Sequence, residues 1–172
     1  RRQLHGLYAH YLESRYPDRV SQLTPQLAHH FVRAEVHDKA CHYSRKAGEQ
    51  AAAGFANDEA LAHFARALQW LPLADAPARF DVLLRCEAIH DLQGQHEKRR
   101  GDQDELEALA RQMDEVALAQ ARVATRRAKL AIDGGDGAAA RVSAQRAIQL
   151  IEADDQARAR ACDLLVDALL LD

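Results

Sequence analysis

Residues that interrupt helices recur along this chain at a nearly constant interval. Tyr16-Pro17-Asp18, Glu35-Val36-His37, Ala56-Asn57-Asp58, Pro72 to Pro77, Gly94, Met113-Asp114, Gly134-Gly135 and Asp154-Asp155 mark junctions about twenty residues apart. Between them lie nine segments of helical length with short connections, so consecutive helices must fold back on one another. A helical hairpin then repeats about every 40 residues, the period of a stacked array and not of a closed bundle. Composition agrees: 35 Ala and 22 Leu stand against 8 Val, 4 Ile and 2 Thr, which leaves too few β-branched residues for a sheet. The expected fold is all-α, an α-solenoid of antiparallel helical hairpins with about nine helices.

The apolar positions follow the same ruler. Ala60, Phe64, Ala67, Leu68 and Leu71 have the offsets of Ala140, Ala144, Ala147, Ile148 and Ile151, two hairpin periods later. Shifted copies occur as Ala40, Ser44, Ala47, Ala51 and as Ala161, Leu165, Ala168, Leu169, with a related stripe at Leu106, Leu109, Ala110 and Met113. Each puts one apolar stripe on one helix face. Small Ala at the first and third template positions lets neighbouring backbones approach, while the larger residue between them fills the gap. At helix starts, Asn57 is the expected N-cap, with Asp58 and Glu59 in the first turn, and Asp136 or Gly137 opens the helix after a positive-φ exit at Gly134-Gly135.

The two halves differ. All nine aromatics lie within the first 80 residues, so the remainder must pack Ala, Leu and a little Ile and Val. Residues 1–86 carry 11 Lys/Arg against 9 Asp/Glu, and residues 87–172 carry 12 against 17, for a net charge of −3. That balance argues against direct nucleic-acid binding. Cys41, Cys86 and Cys162 are odd in number and sit in apolar helical patterns, which reads as reduced thiols of a cytoplasmic protein. No apolar run reaches the length of a membrane span, and no signal-peptide pattern opens the chain. A first residue Arg1 and a single Met113 read as a segment of a longer protein. The expected organisation is one helical-repeat domain, 1–172, with an aromatic-rich sub-array 1–72 and an Ala/Leu-rich sub-array 77–172 meeting at a bend over Leu71–Pro77.

The run Ala60-x3-Phe64-x2-Ala67-Leu68-x3-Pro72 resembles the second helix of a tetratricopeptide repeat, although the period here is longer than that unit's. The likeness implies a right-handed superhelical array. A wider stretch resembles the helical region that follows the ATPase module in large bacterial signalling proteins. Its residues are Leu27-Ala28-His29-His30-Phe31, Asp38-Lys39-Ala40 with Tyr43 and Ala47-Gly48, Ala56 to Leu61, Arg66-Ala67-Leu68, Tyr11-Leu12-Glu13 to Tyr16-Pro17-Asp18, and Asp91 to Ala110. The proteins concerned are ATP-dependent LuxR-type regulators similar to the maltose regulator, and adenylate or guanylate cyclases fused to an ATPase. The resemblance covers most of residues 1–110 and implies a non-catalytic arm that senses a ligand or partner and restrains a neighbouring ATPase. ATPase or cyclase activity would then reside on domains outside these 172 residues, since every ATPase motif is missing here.

Inventory excludes several chemistries. There is no Gly-rich loop ending in Lys-Ser/Thr, and Gly134-Gly135-Asp136-Gly137 follows a helix and reads as a turn. None of Ser14, Ser21, Ser44 and Ser143 sits in a nucleophile elbow. His29, His30, His37, Cys41 and His42 crowd one helix-helix turn, but adjacent His29 and His30 should point apart, and ordinary packing is the preferred reading over a metal site. No cofactor is expected. The candidate binding face is Arg122, Arg126 and Lys129, at i, i+4 and i+7 beside the stripe Ala117, Ala121, Ala124, Ala128. Such a ladder could grip an acidic peptide or a carboxylate terminus. The simpler alternative is a solvated face neutralised by Asp133 and Glu115. The expected function is a non-catalytic protein-interaction or sensor module of a larger ATP-dependent signalling or transcription-regulating protein, with a protein partner or a neighbouring ATPase domain. The alternative is a small-molecule inducer receptor built from Phe31, Tyr43, Phe55, Phe64 and Trp70.

Overall fold

The computed structural model describes residues 1–151 together with 162 and 163. Among the described residues the chain is all-α, with no strand. Its helices are α1 (Arg2–Arg15), α2 (Val20–Ala34), α3 (His37–Ala53), α4 (Asn57–Trp70), α5 (Ala76–Leu92), α6 (His96–Ala110), α7 (Val116–Asp133) and α8 (Gly137–Leu150), with a 3-10 turn at Pro17–Arg19. The junction at Asp154-Asp155, most of the expected ninth helix and all four residues of its template copy (Ala161, Leu165, Ala168, Leu169) lie outside the described residues. The chain gathers into two compact units, Arg1–Ile89 and one that begins at His90. The connection Leu71–Pro77 lies inside the first.

In the first unit helices pack in chain order, α2 against α1 and α3, and α3 against α2 and α4. The core there combines Leu12 of α1, Leu27 and Phe31 of α2, and Ala40, Tyr43 and Ala47 of α3. Phe31 and Tyr43 stack face to face with centroids 5.4 Å apart. The repeating template is what buries: Ala60, Phe64 and Ala67 are sealed, as are Ala140, Ala144 and Ala147, their counterparts in the second unit. Gly48 is the closest approach, because a Cβ there would stand 2.6 Å from Cε1 of Phe64. In the second unit α7 packs against α6 and α8.

The helix ends follow local chemistry, with one correction. Glu35, Phe55, Gly94 and Gly135 adopt positive φ at helix exits, and Asp136 caps α8 by accepting from the backbone N–H of Ala139 at 2.9 Å. Asn57 is not the N-cap of α4. Ala56 holds that position, accepting the Ala60 N–H at 2.9 Å with its carbonyl, and Asn57 is already helical, so its side chain is one position late for capping. The Leu71–Pro77 connection is tied down by Arg79, whose Nη1 donates to the carbonyl of Leu68 at 2.9 Å and so satisfies the C-terminal end of α4.

Candidate functional site

On α7 the ladder Arg122, Arg126, Lys129 is present at the expected spacing, and of the adjoining stripe Ala121, Ala124 and Ala128 are buried whereas Ala117 is exposed. Asp133 turns to Arg99, and Lys129 pairs with Asp91 near the end of α5. Arg99 is 1% exposed and places Nη1 2.8 Å from both Asp91 and Asp133. A buried guanidinium needs such partners, and within the second unit it ties α6 to Asp91 and to the end of α7. His90 and Asp102 add a 2.6 Å contact between α5 and α6.

The concavity of the second unit opens one residue further round α7, at Arg127. A cavity of about 180 Å³ lies between α6, α7 and α8, lined by Glu107, Gln120, Val123, Ala124, Arg127, Val142, Ser143 and Arg146. A shallower depression of about 480 Å³ continues from it past Arg127 and Ser143 toward Arg100, Asp104 and Asp136. Glu107 stands at the centre, 12% exposed, with guanidiniums from Arg111 just past the end of α6, from α7 and from α8. Arg127 Nη1 approaches its Oε2 at 2.6 Å, and Arg111 and Arg146 approach its Oε1 at 3.0 and 3.4 Å. Arg127 also reaches Asp104 at 2.7 Å. The helices that carry these groups are held together by small residues: Ala124 and Ala147 pack with Ile148 below them. The arrangement can bind an anion or an acidic segment. Ser143 also lines it.

Sequence reasoning missed Arg99, Glu107 and Arg127. A charged residue at i+1 from a ladder carries no signal of its own, and only the burial of Ala124 and Ala128 indicates that the face turned toward α6 and α8 includes Arg127 and not Arg126.

In the first unit the histidines arrange themselves otherwise than expected. His29 and His30 do not diverge; both rings meet His5 of α1, whose Nδ1 lies 2.8 Å from Nδ1 of His30. Burial lowers the pKa of His30, helped by the charges of His29 and His5. His37 packs on Trp70, and His42 on Tyr43. Among the described residues no group of three or more His, Cys, Asp or Glu is placed to hold a metal ion. Nor is any helix among them long and apolar enough to cross a membrane. Burial raises the Cys41 thiol above its ordinary value, while Cys86 is buried and Cys162 exposed, all three as free thiols. The aromatic set divides: Phe31, Tyr43 and Phe64 are core, Trp70 is half-buried and Phe55 is 87% exposed. A surface concavity of this unit, at His29, Val32, Arg33 and Arg66, is lined by none of them.

No protein-family model matches the chain, and no curated protein matches it.

Proposed function

We propose that this chain is a non-catalytic, tetratricopeptide-like interaction or sensor module, an arm of a larger ATP-dependent signalling or transcription-regulating protein. The observation that supports it best is the groove of the second unit, where Arg111 at the end of α6, Arg127 of α7 and Arg146 of α8 converge on Glu107 beside an open cavity. Such a groove offers directional charge and a small apolar wall (Val123, Val142), which is the chemistry of recognition. In this reading a partner segment, or a neighbouring ATPase domain, seats in the groove and biases the packing of the array between two states. The inducer-receptor alternative draws less support, because the five aromatics it needs are divided between core and surface.

Site-specific photo-crosslinkers in the full-length protein test the reading. Probes at Gln120 and Ser143 should trap a partner or a second domain of the same protein, and a probe at exposed Ala65 of α4 should not. Equal trapping from all three positions, or none from the groove, would remove the support.

A further inference from the structure

Glu107 is outnumbered. A carboxylate offers about four lone-pair directions, and each guanidinium five donors. Among the described residues, Arg146 reaches Glu107 only at 3.4 Å and stays 49% exposed, and Arg127, 33% exposed, divides itself between Glu107 and Asp104. Donor capacity therefore faces the cavity after the internal carboxylate is satisfied. The rest of the lining fits what would bring a second carboxylate: Val123 and Val142 offer apolar surface to a side-chain stem, and Gln120 and Ser143 offer neutral hydrogen-bonding groups to a peptide backbone. Asp104 and Asp136 flank the same groove, so a polyanion meets repulsion that a lone acid among neutral residues avoids.

We infer that the α6–α8 groove is a receptor for a single acidic side chain within an otherwise neutral peptide segment, and that Glu107 is its built-in competitor. In the empty groove Glu107 stands in for the incoming carboxylate and holds Arg127 and Arg146 in place. When the segment arrives, the two guanidiniums share themselves between the internal and the external acid, so Glu107 sets an upper limit on affinity. This rests on the interaction-module reading and adds to it the chemistry of the partner.

The test is an NMR titration of the full chain with a peptide of about ten residues, Ala, Ser and Leu around one central Glu, and with its Gln counterpart. The Glu peptide should shift the signals of Arg127 and Arg146, bind roughly tenfold more tightly than the Gln peptide, and weaken as salt is raised. Arg127→Gln and Arg146→Gln should each weaken it roughly tenfold. Glu107→Gln should tighten it several-fold, the opposite of what a merely structural Glu107 predicts. If that variant does not fold by circular dichroism, Glu107→Asp, which keeps the charge on a shorter stem, should tighten binding to a smaller degree. Unchanged or weaker binding by the folded Glu107 variant overturns the competitor role. Equal shifts from the Glu and Gln peptides overturn carboxylate recognition and leave the interaction module standing. Tighter binding of a single-stranded oligonucleotide than of the Glu peptide, or no shift with either peptide, overturns the inference, while the crosslinking result decides the module separately.

Discussion

The side-chain amide of Gln50 donates a 2.9 Å hydrogen bond to the backbone carbonyl of Ser21, the group that Pro25 leaves without its helical donor. A proline inside a helix removes the N–H that would reach back four residues, and here a residue of α3 supplies the missing donor to α2. The same amide lies 3.5 Å from the hydroxyl of Thr24, which itself donates to the carbonyl of Val20 at 3.0 Å. An imperfection in α2 is thereby turned into a specific contact with α3.

Gln50→Ala should accordingly destabilise the chain by about 1 kcal/mol. In a Pro25→Ala background, where α2 regains its own donor, the same substitution should cost less. Urea unfolding of the four proteins measures this, and equal costs in both backgrounds would show that Gln50 does not compensate for Pro25.

Gly48→Ala should be destabilising although Ala is the better helix former. The added Cβ would lie 2.6 and 2.7 Å from Cε1 and Cδ1 of Phe64, a ring that is fully buried and cannot swing away. Overpacking of this kind costs about 1–3 kcal/mol, against a propensity gain of about 1 kcal/mol. Phe64→Leu should partly relieve the Gly48→Ala penalty in a double-mutant cycle.

Arg99→Ala should be the most damaging of the charge deletions considered, by about 2–4 kcal/mol, because Asp91 and Asp133 lose the guanidinium they share. Both carboxylates keep some contact with water, which holds the loss to the lower part of the range for buried pairs. Thermal unfolding checks this, with Arg100→Ala, an exposed residue paired to exposed Glu97, as the comparison expected to change little.

Acid should weaken the first unit in two stages. Burial lowers the pKa of His30 from its ordinary 6.5, and the neighbouring His29 and His5 lower it further. The unfolded chain therefore takes up the proton first, so this stability is complete above about pH 6.5 and is lost as pH falls below it. Burial would raise Glu13, but hydrogen bonds from Lys39 and Tyr43 and the charges of Lys39 and His10 outweigh it and hold the carboxyl below its ordinary 4.5. Its contribution is present above about pH 4.5 and disappears as pH falls through the lower folded-state value. Stability measured against pH should show both steps; His30→Asn should diminish the first, to which His42 and His63, also lowered chiefly by burial, contribute as well, and Glu13→Gln should flatten the second.

What could be read in advance was whatever depends on neighbours in sequence. The template Ala60-Phe64-Ala67 announces its buried face because three residues on one helix share it, and Asp136 announces a cap because its partner, the Ala139 N–H, is three residues away. The miss at Asn57 is of the same local kind, an error of one position at a helix start, where capping residues and first-turn residues look alike. The groove was not legible. Glu107 meets Arg111 four residues on, at the cap of its own helix, but it meets Arg146 across 39 positions, and neither residue type announces which partner it will take.

The sequence by itself determined that the chain is helical, where its helices break and which of their faces are buried, since propensity, capping and periodicity act within a few residues. Only the tertiary structure decided which charges meet. Arg99 is buried and Arg127 enters the groove in place of Arg126, because helix rotation and register are set by packing Ala124 and Ala147 together, and side-chain electrostatics is decided by distances that packing creates.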